Sequence, residues 1–241
     1  MSPVLREVLQ AAPAASVTEV VERMRAIVET LPPDDGVRAF TRLYLAVTEA
    51  IDEEARPGAF EDPAFIRRLD VGFANHYFDA LRNALLETGP VPKAWDPLLE
   101  ARGTAGVLPL QFALAGMNAH INRDLPIALV ATCEAADVAP DDGTPQRRDF
   151  RRIDALLAAV ERRVKNELLT EALARFDVAL GELDDVIAMW KVERAREAAW
   201  TNGETLWAIR SLPRLRAEFL GTLDRLVGFA GRGLLRPLRL R

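Results

Sequence analysis

What the chain lacks narrows its class before any motif is read. Cys133 is its only cysteine, so no internal disulfide forms, which fits a reducing compartment and a cytoplasmic location. No uninterrupted apolar run reaches the roughly 18 residues of a membrane-spanning helix. The first residues, "MSPVLREVLQAAPAAS", lack a basic start followed by an apolar core and do not read as a signal peptide. Strand signals are nearly missing: there are no alternating β-branched runs and no Asn-Gly hairpin. The familiar catalytic motifs are missing too. "AGRGLL" follows no strand and makes no phosphate loop, and CxxC, HExxH and nucleophile-elbow sequences do not occur. Neither His76 nor His120 has a glutamate three residues before it, which removes a di-iron carboxylate site. Asn and Asp around His120 make a poor wall for haem. Asp184–Asp185 is too short a signal for a magnesium-diphosphate site.

What remains is an ordinary globular composition. The 241 residues are 49% hydrophobic with a net charge of −5, enough for one large domain or two small ones, and give no case for nucleic-acid binding. Arginine outnumbers lysine 28 to three in an alanine-rich background, a composition typical of GC-rich bacterial genomes. Charge is unevenly spread: residues 214–241 hold seven Arg against Glu218 and Asp224, so the remainder is strongly acidic. The terminal "GFAGRGLLRPLRLR" alternates leucine with arginine, a pattern for contact with a membrane surface or an acidic partner. Leucines packed on the body with arginines left in water are the plainer account of it.

Helical periodicity fills most of the chain. "SVTEVVERMRAIVETL" opens on Ser16 as N-cap with Glu19 three residues later. A second helix follows "PPDDG", and a third starts at Asp62–Pro63 and runs to Thr88. "GPVPKAWDPLL" is a turn-rich connector. "LQFALAGMNAHINRDLPIALVATCEAA" is a long, almost wholly apolar helix, and three further helical stretches follow. The expected fold is a single all-α domain over residues 1–229, seven to nine helices packed around a buried, Pro-kinked central helix, with a basic Leu/Arg tail at 230–241.

The central helix carries polar groups that are costly to bury unpaired. His120 and Asp124 lie four apart on one face; Asn118 and Asn122 lie four apart on nearly the opposite one, joined by Gln111. Gly116, one turn before His120, allows a close approach. Pro126 has no N–H, so it leaves the Asn122 carbonyl without its helical partner and bends the helix. A site at this point and a set of interhelical ties are both open readings. Asp70 and Tyr77 share an inward face of the third helix, while His76 belongs to its surface or boundary. Further on, Glu193, Glu197, Trp200, Glu204 and Trp207 form one stripe. It reads as a cleft wall, or as a salt-bridged face paired with Arg194 and Arg196.

The segments "GMNAHINRDLPIAL", "FIRRLDVGFANHYFDAL" with the following "PKAW", and "IAMWKVERAREAAWTNGETLW" resemble a bacterial family of helical proteins of unknown function. That likeness runs from about Val37 to Leu212; it implies an all-α fold and no particular chemistry. A more distant likeness joins His120-x-x-x-Asp124 to the core helices of zinc-dependent phospholipase C and the S1/P1 nucleases. Two histidines cannot supply the trinuclear zinc site of those enzymes.

The expected function is therefore that of an enzyme on a small organic ligand, a hydrolase or a lyase or cyclase. His120 and Asp124 act as acid–base pair, Asn118 or Asn122 polarises an oxygen, and Asp70, Tyr77, Gln111, Glu197, Trp200 and Glu204 contact the substrate. The cofactor expectation is none, or one divalent metal on His120 and Asp124 with a further carboxylate. The alternative is a non-catalytic binding or interaction module in which the His/Asn/Asp cluster is structural.

Overall fold

Local signals fix most helix ends. Ser16 caps its helix by accepting the Glu19 N–H at 3.2 Å, and the Glu19 carboxylate takes the Ala15 N–H at 2.9 Å. Asp62 caps the third long helix by accepting from Phe65 N–H, with Pro63 in the first turn. That helix stops at Leu86, two residues short of the expected Thr88, because Glu87 turns left-handed at φ 54°.

The structure, a computed structural model, describes residues 1–54, 58–175 and 192–237. The described residues are all-α: α1 Pro3–Gln10, α2 Val17–Thr30, α3 Gly36–Glu54, α4 Pro63–Leu86, α5 Asp96–Ala101, α6 Pro109–Ala119, α7 Leu125–Ala136, α8 Pro145–Arg175, α9 Val192–Ala208 and α10 Pro213–Leu234. A single π-helical turn, His120–Asp124, joins α6 to α7 as one continuous rod. None of the helices described is long and apolar enough to cross a membrane. Asp184–Asp185 and the start of the "IAMWKVERAREAAW" segment lie outside the described residues.

The α6–π–α7 rod runs between two apolar cores. On one side α1, α2, α5 and α10 pack with α3 and α4 around Met24, Phe40, Tyr77 and Trp95. On the other, α8 and α9 pack with α3, α4 and α7 around Phe65, Leu129, Phe150 and Trp200. Two reciprocal knob-and-notch contacts seat α3 against α6. A Cβ on Gly116 would fall 2.3 Å from the Phe40 ring, and one on Gly36 would fall 2.4 Å from the Phe112 ring. Glycine at both positions lets each phenylalanine lie against the facing backbone.

The C-terminal segment is tied down by side chains of the rod. Helix α10 runs unbroken through residues 229–230, where the sequence places the domain's end. Gln111 donates from its amide to the carbonyls of Leu234 and Arg236, each at 2.8 Å, and Leu235 is buried. Asn118 donates to the Val227 carbonyl at 2.9 Å.

Candidate active site

The sequence predicts a proline bend in the middle of the rod. The structure places a widened, π-helical turn there. Leu125 N–H reaches back five residues to the His120 carbonyl, while His120 N–H is shared between the carbonyls of Gly116 and Met117. Such π turns often mark functional positions. Within this one turn His120 and Asp124 meet: the imidazole Nδ1 lies 3.1 Å from Asp124 Oδ2.

Asp124 is fully enclosed and fully occupied. Trp95 Nε1–H donates to Oδ2 at 3.0 Å, and Arg123 Nη1 donates to Oδ1 at 2.7 Å. Burial alone would raise its pKa; the hydrogen bond and charge of His120, with the charge of Arg123, outweigh it and hold Asp124 below the usual carboxylate range. An ionised Asp124 can only accept, so Nδ1 carries the proton and Nε2 presents a lone pair. Burial pushes the imidazole pKa down, which keeps the ring neutral. The ring is clamped as well as hydrogen-bonded. Phe73 lies flat on it at 3.5 Å between centroids, and Tyr44 meets it edge-on at 4.6 Å.

His120 lines a cavity of about 70 Å³ whose walls are mostly aliphatic, among them Ile66, Leu125 and Val192. Tyr44 and Thr48 of α3, one turn apart, Asp70 and Phe73 of α4 and Arg196 of α9 also line it. Thr48 and Asp70 also line an adjoining pocket of about 100 Å³ together with Asp52 and Arg67. Among the described residues, five buried side-chain polar atoms have no hydrogen-bond partner, and three of them belong to this cavity: His120 Nε2, Tyr44 Oη and Thr48 Oγ1. Burial, reinforced by the charge of Asp52, raises the Asp70 pKa to about 7.

The family model described as "Family of unknown function (DUF5995)" matches residues 17–237, a wider span than the sequence likeness suggested. The chain belongs to DUF5995. No curated protein and no solved structure matches it. Every element that builds the cavity falls inside the span shared with the family.

The other residues singled out in this DUF5995 sequence lie away from the cavity lining. Gln111 and Asn118 tie α10 and the following strap to the rod, and Asn122 donates to Asn118 Oδ1 at 3.2 Å. Tyr77 is buried beside the dyad, but its hydroxyl bonds Thr41 Oγ1 at 2.6 Å. Glu197 pairs with Arg147 and Arg151 of α8, not with the neighbouring arginines of its own helix. Trp200 is fully buried and donates to Glu204 at 3.0 Å, with the Arg147 guanidinium over its ring. Within the α9 stripe Glu197 is thus ion-paired and Trp200 packed, and α9 reaches the cavity through Val192 and Arg196. Arg196 itself pairs with Asp154 and donates to the Phe150 carbonyl. His76 is half-buried on α4, its pKa lowered by burial.

Sequence reasoning brought His120, Asp124 and Asp70 to this neighbourhood and missed Tyr44, Thr48 and Phe73. The available signal was the Tyr44-x-x-x-Thr48 spacing, which places two hydroxyls on the apolar face of α3. A chelate on His120 and Asp124 has little left to offer a cation, since both carboxylate oxygens and Nδ1 are engaged with each other, Trp95 and Arg123. Among the described residues no three His, Cys, Asp or Glu side chains come together in a metal-holding group.

Proposed function

We propose that this protein is an enzyme that moves protons on a small, neutral, oxygen-bearing molecule, a lyase or cyclase step, with His120 as base and Asp70 as acid. One observation carries the reading: the unpartnered His120 Nε2, Tyr44 Oη and Thr48 Oγ1 all belong to residues that line one largely aliphatic cavity. Buried polar atoms without partners cost about 1–3 kcal/mol each, so three in one place are best explained by a ligand that pairs them.

In this reading Nε2 takes a proton from the substrate, and ionised Asp124 stabilises the imidazolium that forms. Asp70, which lines both this cavity and the adjoining pocket, holds its own proton up to about pH 7 and returns one to the substrate. The Tyr44 and Thr48 hydroxyls hold the substrate oxygen. The cavity takes roughly five water-sized groups, which sets the size of the reacting end. Its aliphatic walls favour a reaction that needs no free water over hydrolysis. The lone cysteine and the arginine-rich composition support a bacterial cytoplasmic setting.

The test compares wild type with His120→Asn, Tyr44→Phe and Thr48→Val. Asparagine keeps a donor near the Nδ1 position and removes Nε2. A panel of short aliphatic alcohols, ketones and lactones is followed by mass spectrometry. The expected result is conversion of at least one compound by wild type, lowered by about 10²–10⁴-fold in His120→Asn. Tyr44→Phe and Thr48→Val should lose turnover while melting at or above the wild-type temperature, because each removes an orphaned hydroxyl. If all three variants melt well below wild type and no compound is turned over, the cluster belongs to a binding or interaction module whose polar groups are structural.

A further inference from the structure

We infer that α10 is a docking helix for an anionic lipid surface. Its inner face is spoken for: Val227, Gly228 and Gly231 are buried against the connector before α5 and against Pro97. A second apolar face points outward. Leu212, Leu215, Phe219, Leu226 and Phe229 follow one another at steps of three, four, seven and three residues, one stripe along the helix. Four of the six exposed large hydrophobic residues of the described chain lie on it: Leu212, Leu215, Leu226, and Phe229, which is 80% exposed. A phenylalanine that open on an ordered helix is a cost in water unless something covers it.

Charge says what covers it. Arg214, Arg225 and Arg232, spaced eleven and seven apart, form an exposed row along one edge of the stripe. Among the described residues only Arg232 of this row has an ion-pair partner, Glu100, and Arg225 donates to its helical neighbour Thr222. Glu218 is the one acid of α10 itself near that edge, Glu100 of α5 standing beside Arg232, and the rest of the chain is strongly acidic, so basic character gathers toward this end of the sequence. An apolar stripe edged with arginine is the pattern of a helix lying in a membrane interface, side chains in the acyl boundary and guanidinium groups on lipid phosphates. An antiparallel second copy fits less well, because it sets arginine row against arginine row. The length suits the role, since 22 residues make a helix of roughly 33 Å. The surface lies upstream of the terminal Leu/Arg tail, whose described part Gln111 holds against the rod.

The experiment uses the full chain and sedimentation with vesicles of phosphatidylcholine, alone or with about 30 mol% phosphatidylserine. Wild type should co-sediment with the anionic vesicles and stay in solution with the neutral ones. Leu226→Glu/Phe229→Glu should weaken the partitioning at least about tenfold, and Arg214→Glu/Arg225→Glu by a similar factor. Raising salt to about 0.5 M should weaken it as well. Both pairs sit on the exposed face, so far-UV circular dichroism and melting temperature should match wild type; Leu226→Ser/Phe229→Ser is the milder control should the glutamates unfold the helix. The inference fails if wild type ignores anionic vesicles, binds both kinds equally, or keeps its affinity in the serine or glutamate pair. It fails equally if sedimentation velocity shows a dimer that Leu226→Glu/Phe229→Glu dissociates, which would give the face to a second copy.

Discussion

Asp70 sets the pH behaviour expected of the molecule. Its carboxyl keeps a proton up to about pH 7 in the folded chain but ionises near its ordinary 3.8 when unfolded. Between those values the folded state binds more protons than the unfolded one, so stability falls as pH rises through about 4 to 7 and stays lower above. Asp70→Asn removes this slope. The variant should match wild type near pH 4 and be more stable by about 1–3 kcal/mol at pH 8, read from urea unfolding at the two pH values. A parallel pH dependence in the two proteins would show that Asp70 ionises in the fold as it does in water. At this scale the sequence was informative about cost and silent about partners. Burying His120, Asp124, Asn118 and Gln111 demands hydrogen bonds, and that was legible from residue type. Which of them are satisfied was not. Asn118 and Gln111 find backbone carbonyls more than a hundred residues away, whereas Tyr44, ordinary in a helix, is left unpaired by its tertiary neighbours.

At the scale of elements, helix type and order were readable because capping residues and 3.6-residue periodicity act locally. Ser16, Asp62 and Pro63 do what their chemistry implies. The proline was read correctly as a disturbance of the rod, while the widened turn that absorbs it was not legible, because its form depends on what packs around it. Here the π turn leaves the rod continuous and brings His120 to Asp124. The same packing makes Gly116 sensitive. A methyl there would sit 2.3 Å from Phe40, and Phe40 in turn touches Tyr77, Trp95 and His120 edge-on. Gly116→Ala should therefore cost about 1–3 kcal/mol despite alanine's better helix propensity, seen as a lowered urea midpoint with an unchanged slope. A neutral or stabilising result would mean that α3 slides freely against α6.

On the scale of the whole molecule, α10 joins the outward face to the interior through Asp224. Its carboxylate accepts the N–H groups of Lys93 at 2.9 Å and Ala94 at 3.0 Å, and stands 3.6 Å from Arg123, whose other end grips Asp124. Backbone anchoring and charge relay make different demands on this residue. If anchoring dominates, Asp224→Ala should cost about 1–3 kcal/mol, and Asp224→Asn about half as much because its amide oxygen still accepts. A double-mutant cycle with Arg123→Ala should then give a coupling below about 1 kcal/mol, since the 3.6 Å contact is longer than a hydrogen bond and each charge already has a closer partner. Hydrogen exchange should show α10 and the connector before α5 loosening together while the α6–π–α7 rod keeps its protection. A coupling of about 2 kcal/mol or more would reverse this view, because it would mean that a charge on the docking helix is felt at Asp124, and that what α10 touches outside sets the state of His120 inside.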